Sequence, residues 1–224
     1  MRPVPVIFGV LTLALAWLDL FPKAQGAFFA HMAVHMSVVA VAAPLLAIGL
    51  AGGSFDPVRR APALFSPILA SLLELAIVWL WHTPLLHHAA RNQLSAFAAE
   101  QSAFLLSGFT LWISVLGGEP PARAGRRAEG IVALLLTAMH MTLLGALFAL
   151  SPRPFYAHGP HSGDLSPLDD QHLGGVIMLI AGGVSYLAGG LWLAKGLLGD
   201  RQSAMQTRPR QLRQPSDPAR QYLH

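Results

Sequence analysis

Apolar stretches of about 20 residues alternate with short polar connections along this chain, and a helix of that length crosses a hydrocarbon core about 30 Å thick. The pattern therefore predicts an all-α fold, a polytopic transmembrane helical bundle over residues 1–198. We expect about six spans. They are Val4–Leu20, Gly26–Leu50, Leu64–Trp81, Phe97–Leu116, Ile131–Leu150 and Leu173–Ala194.

The first span has a second interpretation. Arg2, the apolar stretch and Ala24-Gln25-Gly26 are also typical of a signal peptide with a small-residue cleavage site. Asp19, Pro22 and Lys23 disfavour cleavage, because they are unfavourable residues just before a cleavage site. The orientation of the later spans is the same in both cases.

The composition supports a membrane protein and removes several classes of function. Hydrophobic residues make up 54% of the 224 residues and charged residues only 12%, whereas soluble domains average about 25% charged residues. The chain has no cysteine, so disulfides, thiolate zinc sites and iron–sulfur clusters are excluded. The net charge of +4 needs no nucleic-acid partner, because basic residues of membrane proteins collect in cytoplasmic segments.

The distribution of basic residues predicts the orientation. With the N-terminus inside, twelve of the fifteen lysines and arginines fall on the cytoplasmic side, and only Lys23, Arg91 and Arg153 fall outside. This bias predicts that both termini are cytoplasmic. Residues 199–224, rich in Gln, Arg, Pro and Ser, are expected to form a disordered basic tail that lies against anionic lipid.

Histidines and methionines stand out within the apolar pattern. His31 and His35 open the second span and lie on one helix face, because they are four residues apart. Met32 and Met36 form a row on the adjoining face. Imidazole binds copper, zinc or iron, and thioether favours Cu(I). Polar side chains at membrane depth usually mark function, although interhelical hydrogen bonds alone also explain such histidines.

The predicted topology gathers the polar residues in one half of the membrane. Nine of the ten histidines fall on the outer half. At a rise of about 1.5 Å per residue, His35 and His140 lie roughly 13 Å and 15 Å below the outer ends of their helices, and Glu74 roughly 10 Å. We therefore expect these three in a common layer, since a buried carboxylate is costly unless it is paired or metal-bound.

Other residues predict local architecture. Ser166, with Asp169 three residues later, is typical of a helix start. Pro44 is expected to kink the second span. A row of small residues at four-residue spacing predicts a close helix approach, and it consists of Ala181, Ser185 and Gly189.

Five short strings occur in a characteristic order. They are His31-Met-x-x-His35, Ala43-Pro44-Leu45-Leu46-x-x-Gly49, Trp81-His82-x-Pro84, Ser151-Pro152-Arg153-Pro154 and Ser166-Pro167-Leu168-x-Asp170-Gln171. Together they resemble the integral-membrane CtaG-type assembly factors of caa3-type cytochrome c oxidase, over roughly Gly26 to Leu198. The resemblance implies a protein of the bacterial plasma (inner) membrane that is needed to make active oxidase and delivers copper to it. His87 and His172 depart from the family pattern.

The sequence and the resemblance together predict a non-catalytic cytochrome c oxidase assembly factor that holds or delivers copper at the outer membrane face. The expected partners are membrane lipid, cytochrome c oxidase subunits and a periplasmic copper chaperone. The expected copper donors are His31, His35, His140, Met32, Met36 and Met139. The residues expected to support this site or give access to it are Glu74, His82, Asp170, Gln171 and His172.

The same histidine layer leaves other functions open. A haem-binding redox protein would use His35 and His140 as axial ligands, and a Soret absorption band would reveal it. A membrane transporter would use the polar layer as a substrate or proton site, with polar residues continuing to the inner face. A purely structural scaffold is the third alternative. A zinc protease is excluded, because Met32 stands where the catalytic glutamate belongs.

Overall fold

The computed structural model describes residues 1–20, 26–119, 123–156 and 165–212, and over these ranges the chain forms helices and short loops without a β-strand. The predicted all-α class is confirmed. Five helices begin at a proline, because its fixed φ and missing N–H suit the first helical position. The helices are α1 (Pro3–Leu15), α2 (Phe28–Leu50), α3 (Pro57–Arg60), α4 (Pro67–Trp81), α5 (Pro84–Asn92), α6 (Leu94–Leu116), α7 (Arg123–Leu150) and α8 (Pro167–Leu212).

Four helices are long and apolar enough to cross a membrane, and they are Phe28–Leu50, Leu94–Leu116, Gly125–Leu150 and Pro167–Gly199. Helices α4 and α5 add a fifth if the bent pair counts as one broken span, while the apolar helix Pro3–Leu18 is shorter. The chain is therefore a polytopic membrane protein. The count of six spans and the orientation of the termini stay predictions.

Helix α2 is central to the bundle. It packs against α1, α6 and α8, while α4 packs against both α6 and α7. The buried apolar core is formed mainly by α2, α6, α7 and α8. Because α2 carries His31 and His35 into this core, its neighbours determine what surrounds these histidines.

The chain bends by 72° between α4 and α5. Pro84 causes the bend, because it has no backbone N–H and restricts the preceding residue to an extended conformation, as Thr83 shows with φ −67° and ψ 143°. The sequence predicted an outer loop after Trp81. The structure instead places His87 on a second helix that turns back over the end of the bundle.

Just before Pro44, helix α2 contains a widened π-helical turn at Ser37–Ala42, while the kink expected at Pro44 stays a prediction. Because Pro44 has no N–H, the carbonyl of Ala40 one turn earlier loses its usual helical donor. That carbonyl accepts a hydrogen bond from the Ser185 hydroxyl at 2.7 Å. Ser185 of the small-residue row thus meets α2 at close range, while Gly189 of the same row packs against Trp112 of α6 and Leu134 of α7.

The start of α8 is capped in the predicted way. The Ser166 hydroxyl oxygen accepts from the backbone N–H of Asp169 at 3.2 Å and donates to the Asp169 carboxylate at 2.6 Å. Further along, α8 crosses α7 almost backbone to backbone, since a Cβ added at Gly175 would lie 2.7 Å from the Gly145 carbonyl oxygen. Small residues permit this contact.

The last helix is longer than the sequence predicted. Helix α8 continues to Leu212, beyond residue 199 where we expected the disordered tail to begin. Residues 213–224 lie outside the described residues, as do His158 and His161. The expected contact of the tail with anionic lipid stays a prediction.

The orientation can be tested with a reporter fusion. A reporter joined after His224 that works only in the cytoplasm is expected to be active, because twelve of the fifteen basic residues fall on that side. A periplasm-specific reporter at the same position should be silent. Activity of only the periplasmic fusion would reverse the topology.

Candidate metal centre

One end of the bundle contains a buried cluster of histidines and a carboxylate. Helix α2 contributes His31 in its first turn, the bend after α4 contributes His82, α5 contributes His87 and the start of α6 contributes Glu100. All four side chains are buried. They come from elements far apart in the sequence, so only the packing of α2 against α5 and α6 creates the cluster.

His31, His87 and Glu100 are arranged as three ligands of one ion would be. Each offers one ligand atom, and these three atoms lie within 4.8 Å of one another. The His31 Nε2 atom is 3.7 Å from Glu100 Oε1. The His31 and His87 rings are almost perpendicular, with centroids 5.1 Å apart. We call these three residues the metal triad.

His82 and His35 extend the cluster inward. The centroid of the His82 ring lies 6.2 Å from that of His31 and 5.3 Å from that of His35. The Val78 carbonyl lies 2.6 Å from His82 Nδ1 and can only accept, so Nδ1 donates. The neutral imidazole then carries its lone pair on Nε2, which is the form that binds a metal.

Several nitrogens of the cluster are buried without a hydrogen-bond partner among the residues that the structure describes. Both ring nitrogens of His31, His35 and His140 and the Nε2 atom of His82 are in this position. Burying such a group unsatisfied costs about 1–3 kcal/mol. A neutral imidazole has one lone pair, on one of its two nitrogens. A cation bound in the cluster would accept that lone pair from each ring, so the donor set fits a metal.

Aromatic side chains enclose the cluster. The His87 ring stacks on Tyr156, with centroids 4.0 Å apart, and the His35 ring meets the edge of Phe104 at 4.0 Å. The Tyr156 hydroxyl donates to the His82 carbonyl at 2.7 Å, and burial raises the pKa of Tyr156. The phenol therefore stays protonated and keeps the bend in place, while the aromatic wall excludes water.

Asp170 positions the first turn of α2. Its two carboxylate oxygens accept from the backbone N–H groups of Phe28 and Phe29, both at 2.8 Å. These N–H groups have no partner within their own helix, and the negative charge suits the helix N-terminus. Asp170 on α8 thereby sets where α2 begins, and so where His31 points.

Gln171 and His172 position the neighbouring loop. Gln171 accepts from the Phe155 N–H at 2.6 Å and donates to the Phe148 carbonyl at 3.2 Å. The His172 Nε2 atom donates to the Ser151 carbonyl at 2.9 Å. Both side chains therefore make structural hydrogen bonds that connect α8 to the chain leaving α7.

Arg91 supplies positive charge next to the cluster. It lies within electrostatic range of Glu100, Asp170 and Tyr156, and two of these are carboxylates. The Arg91 charge therefore helps to keep two acidic groups near one end of a membrane protein.

The structure separates the predicted methionine donors. Met32 and Met36 are buried and belong to the hydrophobic core, where Met36 packs with Met141 beside Gly182. Met139 has 69% of its surface exposed, whereas the adjacent His140 is buried. Met139 thus lies on the face of α7 that points away from the bundle, and we do not include it among the proposed donors.

His82 and His140 both lie near His35. His82 directly follows the predicted span Leu64–Trp81 and was therefore expected near the surface. Only 6% of it is exposed, because α5 folds back over it and Tyr156 covers it. His140 was expected beside His31 and His35. It lies within electrostatic range of His35 and outside the metal triad, and its role as a donor stays a prediction.

His87 and Glu100 were not predicted as ligands. His87 was assigned to a loop, because the sequence does not reveal that the chain folds back after Pro84. Glu100 carried a usable signal, since it is the only charged residue of the predicted span Phe97–Leu116. The cost of a carboxylate in a membrane span applies to it as it does to Glu74.

Glu74 belongs to a separate polar contact. Its side chain is fully buried, as expected, and it accepts a hydrogen bond from the Tyr186 hydroxyl at 2.8 Å. One helical turn earlier, the hydroxyls of Ser71 and Thr137 share a hydrogen bond of 2.9 Å. The sequence did not predict Tyr186 as the partner of Glu74, and a common layer with the histidines stays a prediction.

The fold and the cluster together define a polytopic helical membrane protein with a buried histidine and carboxylate centre. The family model of the cytochrome c oxidase caa3 assembly factor matches residues 2–199, and the chain belongs to this family. The resemblance seen in the sequence is thereby confirmed. No curated protein and no solved structure is significantly similar to the chain. The family associates the protein with the assembly of cytochrome c oxidase.

Proposed function

We propose that this assembly factor holds copper at the metal triad and passes the ion to an oxidase subunit. The observation that carries the proposal is the approach of His31, His87 and Glu100, whose ligand atoms lie within 4.8 Å of one another in a buried site. Copper is cargo in this scheme, so the protein needs no catalytic group. Its residues bind the ion, keep water out and release it.

The donor types favour copper among the common divalent ions. Imidazole suits copper and zinc, and copper binds more tightly than zinc at most such sites. Ligands about 2 Å from one ion lie roughly 3–4 Å from each other, so small side-chain movements bring the triad onto a single ion. The Glu100 carboxylate offsets part of the positive charge of the ion, which matters in a water-poor site.

The neighbouring histidines give a bound ion further donors. The His82 ring lies near the rings of both His31 and His35, and its Nε2 atom carries the lone pair. Exchange between such donors moves an ion without exposing it to the apolar core. We therefore include His82 and His35 as secondary donors, with His140 deeper along α7.

The position of the triad supports delivery on the outer side of the membrane. His31 is near the start of α2, whereas Arg2 donates its backbone N–H to the Gly49 carbonyl at the other end of that helix. Arg126 donates to the Ser114 carbonyl near the end of α6 and lines the same cavity as Ile48 near the end of α2. Because basic residues mark the cytoplasmic side, the triad faces outward. In a bacterial plasma membrane, a periplasmic copper chaperone and an outward domain of the oxidase are the matching partners.

Copper binding by the purified full-length protein tests the proposal. We expect Glu100→Gln to weaken copper binding at least about tenfold, since even outer partners of a metal site contribute about 10–100-fold. Copper should also displace zinc from the wild-type protein. Glu119→Gln is the matched control, because Glu119 is exposed and pairs with Arg59.

Two outcomes would contradict a metal function. One is unchanged copper affinity in Glu100→Gln, and the other is equal loss in Glu119→Gln. A thermal unfolding curve of each variant separates a lost ligand from a lost fold.

A further inference from the structure

A large cavity lies at the end of the bundle opposite to the metal triad. Its volume is about 900 Å³, within the range of about 300–1,000 Å³ typical of ligand sites. Helices α2, α6, α7 and α8 form its walls, and most lining side chains are apolar. Val41, Ile180 and Val184 line the cavity and are exposed on the bundle surface, so it opens toward the surrounding lipid.

Three arginines line the cavity and make one end of it cationic. They are Arg2, Arg126 and Arg127, and among the described lining residues there is no carboxylate. Arg126 donates to the Phe65 carbonyl at 2.6 Å, and Arg127 donates to the Gly196 carbonyl at 3.1 Å. These carbonyl oxygens orient the two guanidinium groups.

An unsatisfied donor and an exposed tryptophan accompany the arginines. Trp112 lines the cavity, and its buried Nε1 atom has no hydrogen-bond partner in the described part of the chain. Indole can only donate, so a ligand with an oxygen acceptor would satisfy it. Trp192 also lines the cavity and is 61% exposed, as is usual for tryptophan at the headgroup level.

We propose that this cavity binds an anionic phospholipid. The phosphate lies against the arginines, and an acyl chain fills the apolar space between α2 and α8. Basic pockets between transmembrane helices on the cytoplasmic side favour anionic headgroups. Free phosphate has the same charge, but it has no apolar part that could pack against the apolar walls. Helix α8 is the least buried of the four long helices, so a lipid in this position completes its packing against α2.

Native mass spectrometry of the full-length protein in mild detergent tests the site, with phosphatidylglycerol and phosphatidylcholine of matched acyl chains as probes. We expect one phosphatidylglycerol to be retained per chain, and phosphatidylcholine to bind at least about fivefold more weakly. Arg2→Gln and Arg127→Gln should each weaken retention about fivefold, since one basic residue contributes about 1 kcal/mol near anionic lipid. Arg60→Gln is the control, because Arg60 is exposed and donates to Ser54 instead.

A second pair of variants tests the acyl chain without changing charge. Ala188→Phe fills part of the cavity and should reduce retention, whereas Leu187→Phe changes an exposed neighbour that does not line it. Equal retention of both lipids, or no effect of the arginine and Ala188 variants, would overturn the proposal. Displacement of the lipid by inorganic phosphate alone would assign the arginines to free phosphate instead. Copper binding at the triad should be unchanged in all these variants.

Discussion

Cells that carry His87→Phe are expected to insert normal amounts of this protein and to lose most of their oxidase activity when copper is limiting. The phenyl ring preserves the stack on Tyr156, whose centroid lies 4.0 Å from that of His87, but it removes both ligand nitrogens. Loss of a direct ligand should weaken copper binding by at least about 10–100-fold, the range seen for outer partners of metal sites. The measurement that checks this prediction is oxidase activity per assembled oxidase polypeptide.

The adjacent residue provides the control for this experiment. His88 is exposed and bonds only within its own helix turn, to Asn92 among the described residues, so His88→Ala should behave as wild type. Excess copper should restore activity to His87→Phe, because a weakened site fills at higher concentration. Full activity of His87→Phe at low copper would remove His87 from the site. Failure of copper to restore activity would indicate a structural defect instead.

His35→Ala separates the metal triad from its secondary donors. We expect copper-limited oxidase activity to fall less in His35→Ala than in His87→Phe, because His35 is outside the group of ligand atoms within 4.8 Å. The protein should remain stable and inserted in the membrane. If His35→Ala had the larger effect, the ion would be held deeper, among His35, His82 and His140.

Asp170→Asn is expected to destabilise the whole bundle. The carboxylate accepts from the Phe28 and Phe29 N–H groups at 2.8 Å each, and hydrogen bonds to a charged group contribute about 1.5–3 kcal/mol. Asparagine keeps one acceptor and turns an amide donor toward the other N–H. We expect a loss of about 2–4 kcal/mol, which lowers the unfolding temperature of the detergent-purified protein by roughly 5–10 °C.

Asp169→Asn is the matched control for this prediction. Asp169 is exposed, and its carboxylate accepts from Ser166 at the start of α8, so its loss should lower the unfolding temperature by less than about 2 °C. Copper affinity should fall in Asp170→Asn, because His31 is on the turn that Asp170 holds. Equal unfolding temperatures for the two variants would show that Asp170 does not anchor α2.

The two proposed sites lie at opposite ends of helix α2. His31 is near its beginning in the triad, while Pro44 and Ile48 near its end line the lipid cavity. The widened turn at Ser37–Ala42 lies between them. Within this turn, the Ser185 hydroxyl donates to the Ala40 carbonyl, in place of the backbone N–H that Pro44 lacks. Helix α2 therefore links the proposed ion site with the proposed lipid site.

The sequence by itself determined the features that depend on local pattern. Apolar stretches of membrane-spanning length predicted the all-α bundle and the long helices, because the hydrocarbon thickness sets their length. Spacing by four residues placed His31 and His35 on one face of α2. Ser166 capped α8 as predicted, and the family strings identified the oxidase assembly factor family that the comparison confirmed.

Only the tertiary structure decided which polar residues meet. His87 joins His31 because the chain bends by 72° at Pro84, and Glu100 joins them because α6 packs against α5 and α2. Neither contact can be predicted from the spacing of residues within one helix. The exposure of Met139 beside buried His140 depends on which face of α7 meets its neighbours, because hydropathy is the same for a residue facing lipid and one facing the core.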